Sequence, residues 1–513
     1  MKIITSIFSI VLIVMFSCGE KEKPAKAIGK VSITGMELQD GSKPAGRTQA
    51  NFTWKHVFSN QVQLTFTEAG SGQSFEISLN PNDFSKPYTI ALPYGSYQYL
   101  GTSISESVSS TLPVTVSGQI SVDAPTESLL LNGKSDFGLF TFSKSNLASA
   151  PKIITPQAGT LSSTNDFYYT YVKGDLLLKT ELALTNGKSF RIVKSSKSFS
   201  QQQFQIANQA SEAQDVFQPA NFIISAERLI LEPNGYPSVL FPYRIMDLAA
   251  PFNETSGLQW INGRLFSIND GGNSAEIQEL NPQTGALIRT IKVTNAPNVD
   301  WEDLAASSSH FFIGDFGNNI GNRTDLKVLK IPIASLLNQT EVTAEVIEFS
   351  YPDQSDFSGS NSNHNFDCEA MIFRENQLHL FSKNRGDGRT KHYTLAPNPG
   401  KQVASLQGSF DSKGLITGAD ISPDGKNVVL LGYENLGISS RVFLWSFAAI
   451  SGATLSGQGN QFFLGSPAGL SQAEGIVIDS QMELTISGER ISFSGLNVPP
   501  RLFKVDLAGI FIP

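Results

Sequence analysis

Apolar and polar residues alternate in short runs along most of this chain, and Gly, Asn, Pro and Ser separate the runs. Alternation with a period of two puts successive side chains on opposite faces of a strand, so the pattern predicts an all-β protein. Gln61–Thr67, Leu112–Ser117 and Leu176–Leu182 are examples from the N-terminal half. The stretch Gln201–Gln218 breaks the rhythm and predicts the one helix, or else a polar linker. The texture divides this half into an N-terminal β-sandwich over 29–124 and a second β unit with linker over 125–235. Neither carries a catalytic pattern, and together they suit a spacer.

From residue 236 to 513 a repeat emerges. A small or acidic residue precedes a short apolar strand at Ser256–Trp260, Glu302–Ala306, Glu369–Phe373, Asp420–Pro423 and Glu474–Ile478. With Gly257, Glu302, Glu369, Asp420 and Glu474 as marks, the steps are 45, 67, 51 and 54 residues. A four-stranded propeller blade takes about 40–50 residues. Each mark is followed by a second strand ending in a polar turn and by a third strand. The prediction is a five-bladed β-propeller, or a six-bladed one if the long Glu302–Glu369 step hides a blade. The last unit lacks a fourth strand, and Val239–Ile245 is the candidate to close the ring.

The N-terminus reads as an address. Met1-Lys2 leads an apolar run, Ile3–Phe16, that ends in Ser17-Cys18. The run is shorter than the roughly 20 residues of a membrane span, so 1–17 is expected to be a signal peptide. A small residue before Cys resembles the lipobox of bacterial lipoproteins, although Met15 and Phe16 stand where Leu and Ala are usual. Such looser forms are typical of Bacteroidetes-like proteins. The resemblance implies lipidation of Cys18, a tether over 18–28, and a membrane partner through the lipid. It implies a place in the cell envelope as an outer-membrane lipoprotein, periplasmic or surface-exposed. Leu92-Pro-Tyr-Gly-Ser-Tyr-Gln-Tyr99 resembles a corner of immunoglobulin-like sandwiches. Ser256-Gly-Leu, Asn269-Asp-Gly-Gly and Ile277–Ala286 are similar to SdiA-regulated-type propellers and, more distantly, to gluconolactonase-like ones. In the lactonase relatives a glutamate and polar groups hold a divalent cation at the channel mouth.

Composition narrows the chemistry. Charged residues make up 16 %, and the net charge is −8, which argues against a nucleic-acid partner. Cys18 and Cys368 are the two cysteines, so no disulfide framework exists if Cys18 carries lipid. Five histidines, none in HxH or HExxH spacing, argue against a zinc hydrolase. Cys368 reads as a buried thiol before a nucleophile, and Ser422–Lys426 as a hairpin turn.

The strongest candidates for chemistry are the acidic marks. In a propeller the start of the innermost strand and the turn after the second strand reach the same face. That face would carry Glu302, Glu369, Asp420 and Glu474, with Asp315 nearby, and Asp270, Asn318, Asn384, Glu434 and Glu489 in its loops. Two carboxylates about 6 Å apart repel by about 3 kcal/mol at an effective dielectric near 20. Such a ring must bind a cation, share protons, or pair with bases, which Lys383, Arg385, Arg389 and Arg490 could supply. Hard oxygen ligands suit Ca²⁺ or Mg²⁺. Two functions stay open: a binding or scaffold module for an external ligand, and a metal-dependent hydrolase of lactones, esters or phosphates.

Overall fold

The computed structural model describes residues 26–39, 52–103, 106–212, 217–219, 221–359, 364–448, 459–493 and 495–511. The expected signal peptide, Cys18 and all but the end of the tether lie outside these residues. The described residues are almost entirely β and form two compact units: those within 1–39, 58–104 and 113–134 make the first, and the other described residues make the second.

The first unit is one seven-stranded sheet. Its spatial order is Ser74–Leu79, Val62–Glu68, Gly95–Thr102, Thr115–Val122, Thr126–Lys134, Ile28–Leu38 and Tyr88–Pro93. Thr115–Val122 and Thr126–Lys134 pair only through Thr115↔Lys134 and Val116↔Gly133. The two strands diverge beyond these pairs, and the edge strands, Ser74–Leu79 and Tyr88–Pro93, lie near one another. Val31, Ile33, Leu64, Phe66, Leu129 and Leu131, on alternating positions, are buried. The Tyr97 hydroxyl donates to the Pro93 carbonyl at 2.7 Å and fixes the turn before its strand. Because Thr126–Lys134 runs parallel beside Ile28–Leu38, the sheet extends beyond the boundary expected at 124.

The second unit joins two further sheets to a propeller. Among the described residues Gln201–Gln218 holds no helix: Ser200–Ala207 is a strand, parallel both to Phe137–Ser143 and to Ile223–Ile230. A neighbour on each side claims its backbone hydrogen bonds. Gln201, Gln203 and Gln205 are buried, with the Gln201 amide donating to Thr141 at 3.3 Å. Nor is this region a detached spacer. Phe142, Leu182, Phe190 and Phe204 share one core with Val429, Leu444, Phe462, Leu484 and Phe503 of the propeller. Each such buried side chain contributes about 1.5–3 kcal/mol. Lys179 reaches Asp506 at 2.7 Å and Glu483 at 3.1 Å across the same junction.

The propeller has five blades. In order, innermost to outer, they are Thr255–Ile261, Arg264–Asn269, Glu276–Leu280, Leu287–Val293; then Trp301–Ala306, His310–Asp315, Lys327–Pro332, Glu345–Ser350; then Cys368–Arg374, Gln377–Ser382, Thr390–Leu395, Ser405–Phe410; then Leu415–Ile421, Val428–Tyr433, Val442–Phe447, Asn460–Gly465; and last Gln472–Ile478, Glu483–Glu489, Arg501–Asp506, Tyr243–Asp247. The long step hides no sixth blade among the described residues. It holds the short helix Ile333–Asn338 and the strand Glu341–Val342, which pairs with the edge of blade 1. The ring closes with a strand from before the repeat, but that strand is Tyr243–Asp247, not Val239–Ile245. Val239 and Leu240 pair instead with Phe463 of blade 4. Pro242, without an N–H, separates the two pairings.

Candidate metal centre

Each innermost strand is bulged at one place: between Thr255 and Leu258, Trp301 and Leu304, Cys368 and Ala370, Ile416 and Gly418, and Ala473 and Gly475. A bulge re-aims the side chain it carries. The residues at these bulges are Ser256, Glu302, Glu369, Thr417 and Glu474, and they form a ring where the innermost strands begin. The two hydroxyls lace the ring: Ser256 donates to the Glu302 carbonyl, and Thr417 donates to the Ala473 carbonyl at 2.9 Å.

Three of the four acidic marks, Glu302, Glu369 and Glu474, therefore share a mouth. Asp420 does not. It lies three residues beyond the bulge, at the far end of its strand, where it accepts the Ile478 N–H at 2.6 Å. The equivalent in blade 4 is Thr417, and in blade 1 it is Ser256 in place of Gly257. Asp303 is also a staple: it accepts N–H groups from Leu304, Met371 and Ala419 at 2.8, 2.7 and 3.3 Å, tying blades 2, 3 and 4. Asp315 is neutralised by Arg323 at 2.9 Å and Lys327 at 3.2 Å. Asn318 spends its groups on Phe366, Asp367 and Arg323, Asn384 on Ser382 and Asp387, and Glu434 on Arg441. Lys383 pairs with Glu369 at 3.1 Å, and Arg385 with Asp367 at 3.1 Å. Cys368 is buried, and burial pushes its thiol well up, as an inert thiol requires.

The convergence falls on Asp270, Asp300 and Glu302, each of which offers one oxygen, all within 4.8 Å of one another. Asp270 immediately follows the second strand of blade 1, and Asp300 immediately precedes the innermost strand of blade 2. Asn298 locks the two loops together: its amide donates to the Asn269 and Asp270 carbonyls at 3.0 and 2.9 Å, and its oxygen accepts the Trp301 N–H at 3.0 Å. Glycines leave the room. A Cβ on Gly317 would overlap the Glu302 carboxylate and stand 2.6 Å from Asp300 Oδ2, and one on Gly271 would meet Asp300 and the Val299 carbonyl.

Electrostatics sets this cluster apart from the stapled acids. Glu302 is 4 % exposed, and among the described residues no hydrogen-bond donor reaches its carboxylate or that of Asp300. Burial, then Asp270 and Asp367, push Asp300 up to about 7. Burial, then Glu369, Asp270 and Asp300, push Glu302 well above the usual range. Glu489 is raised likewise by burial and Glu474. The Lys383 ammonium lies in the field of Asp270, Glu302, Glu369, Glu474 and Glu489, too many for one cation to balance. Three converging hard oxygens on partly open loops fit Ca²⁺, whose ligands stand at about 2.3–2.6 Å in flexible geometry. They fit zinc poorly, with no His or Cys among them.

Asp300 is the member of this cluster that the marks overlooked. A signal for it exists: Asp300-Trp-Glu302 recurs as Asp367-Cys-Glu369 in the next blade, with the first acid at the strand's start and the second at its bulge.

No protein-family model matches the sequence, and a comparison with curated proteins returns no match. Solved structures are similar in fold only remotely. The hydrazine synthase of Kuenenia stuttgartiensis aligns with 11 % identity over 49 % of this chain and 59 % of its own, with a TM-score of 0.26. A proposed 6-phosphogluconolactonase from Bacteroides fragilis aligns with 13 % identity over 71 % and 80 %, with a TM-score of 0.26. A proposed glycoside hydrolase from Parabacteroides distasonis aligns with 8 % identity over 54 % and 96 %, with a TM-score of 0.29. These likenesses carry no function. The class, a five-bladed propeller with an acidic mouth, rests on the sheets and side chains above.

Proposed function

We propose that this protein is an outer-membrane lipoprotein of the cell envelope, anchored by lipid on Cys18, whose propeller is a binding module that uses Ca²⁺ held by Asp270, Asp300 and Glu302. One observation carries the calcium reading: Glu302 is a buried carboxylate with no donor among the described residues, one of three acids whose oxygens converge. A buried charge without a partner is costly, and a divalent cation is the partner that removes the cost for all three at once. An ion held by these three oxygens would have coordination positions left for the oxygens of an external ligand. The anchor reading rests on the apolar run ending in Ser17-Cys18. Two experiments test the proposal. Calcium should raise the melting temperature of the mature protein, and Glu302→Gln should abolish that rise; equal rises in both would refute the site. Cys18→Ala should end membrane retention and palmitate labelling; labelling that persists would refute the anchor.

A further inference from the structure

At the other end of the channel, where the innermost strands finish, lies a cavity of about 430 Å³. That is the size of a small-molecule site. All five blades line it, so it sits on the axis of the ring. Four residues beyond the bulge, the five blades carry Trp260, Ala306, Phe373, Ile421 and Ile478, and every one of these lines the cavity. Blade 2 makes the room: where blades 1 and 3 place an aromatic ring, its strand runs out in Ala305-Ala306-Ser307-Ser308. Phe373 is held in place by stacking on Phe312, with ring centroids 5.4 Å apart.

Polar groups interrupt this apolar ring. Gln259 and Asp420 line the cavity one step before Trp260 and Ile421, and Arg374 and Glu375 stand at its rim. Arg374 pairs with Glu375 at 2.9 Å, and Asp420 accepts the Ile478 N–H at 2.6 Å, so each of these charges is engaged. Gln259 Oε1 and Trp260 Nε1 are not: both are buried without a hydrogen-bond partner among the described residues. Buried polar atoms are nearly always bonded. One of these atoms accepts and its neighbour donates, so a partner for both must donate and accept. A hydroxyl does both, whereas an ammonium only donates and a carboxylate only accepts. A ring with hydroxyls on its edge and C–H groups on its faces also packs against an aromatic side chain. A pyranose has this form.

We propose that the far mouth of the propeller binds a neutral sugar, with a pyranose face on Phe373 and its hydroxyls bonded to Gln259 and Trp260. The site is separate from the Asp270–Asp300–Glu302 cluster and needs no calcium. Saturation-transfer NMR titrations of the full chain in chelator test it. The probes are the methyl glycosides of glucose, galactose, mannose and xylose, with cyclohexanol and cyclohexylamine as ring controls. At least one glycoside should bind with a Kd of about 1 mM or tighter, and about tenfold more tightly than either control. Gln259→Leu should weaken that glycoside about tenfold and leave cyclohexanol unchanged. Ser308→Trp, at an exposed position of the lining, should block every probe. The proposal is overturned if no glycoside binds, or if either control binds as tightly as the best glycoside. It is overturned too if glycoside binding survives both substitutions or appears only with calcium. The ranking of the probes is read on the unaltered protein, so it decides the matter even where a variant does not fold.

Discussion

Replacing Asp300 by Asn removes a charge while keeping the side chain's shape, and its effect on stability should depend on both pH and calcium. The folded protein holds this carboxyl up at about 7, because burial and the neighbouring Asp270 and Asp367 oppose its ionisation. In the unfolded chain an aspartate titrates near 3.9. The folded state thus binds the proton more tightly, so stability falls as pH rises from about 4 and levels off above about 7. A gap of about three pH units corresponds to about 4 kcal/mol. Asp300 is partly exposed, so solvent screening reduces this to about 2 kcal/mol. At pH 8 in chelator, Asp300→Asn should therefore be the more stable protein by about 2 kcal/mol, whereas near pH 4 the two should coincide. Adding calcium should reverse the order at pH 8, because only the aspartate protein gains an ion. Denaturant midpoints at the two pH values, with and without calcium, measure all of this. A variant that is less stable in chelator at pH 8 would refute the reasoning, because Asp300 would then be a structural partner, not an unbalanced charge.

Further perturbations separate the stapled acids from the free ones. Gly317→Ala should abolish calcium binding, since its Cβ would overlap the Glu302 carboxylate; an unchanged affinity by calorimetry would remove Gly317 from the cradle. Asp303→Ala should cost about 3 kcal/mol or more at every pH, because it strands buried N–H groups of three blades; a midpoint within error of the wild type would contradict the staple. His392, stacked on His379 and Phe381, is pushed down to about 3 by burial. Its depressed value leaves its contribution whole above about pH 6.5 and erodes it by about 1.4 kcal/mol per unit of pH below that. His392→Phe should flatten the acid side of the stability curve, and an unaltered slope would count against the assignment. A fragment starting at Leu231 keeps every blade strand yet should aggregate, because it bares the face of blades 4 and 5 that Phe142, Leu182 and Phe204 cover; a monomeric, cooperatively melting fragment would refute that.

The blades were legible because each had to repeat one pattern of alternation and turn, and five copies in register are hard to mistake. Closure by a strand from before the repeat was legible for the same reason, since the last unit ran out of chain. Its limits shifted by a few residues, because Pro242 breaks the pairing at a point that alternation does not mark. The bulge was not legible. It adds a residue to the innermost strand without altering its hydrophobicity, so the acidic mark in blade 4 fell on Asp420, while the position at the mouth is Thr417. The same blindness hid the difference between an acid that caps neighbouring N–H groups, as Asp303 and Asp420 do, and one that faces the mouth, as Glu302 does. Ser200–Ala207 misled by composition: glutamines read as solvated, yet a strand with a partner on each side buries them and must bond their amides. Asp270 and Asp300 meet only because Asn298 locks two loops from successive blades, a contact that no local pattern announces.

The central claim is that Asp270, Asp300 and Glu302 converge to hold a cation, and crystals of the mature protein grown with calcium test it most directly. The account predicts density for an ion bonded to one oxygen of each residue at about 2.3–2.6 Å, with solvent completing its shell. An ion-free cluster in calcium, with a lysine or arginine side chain bonded to Glu302 in its place, would contradict it.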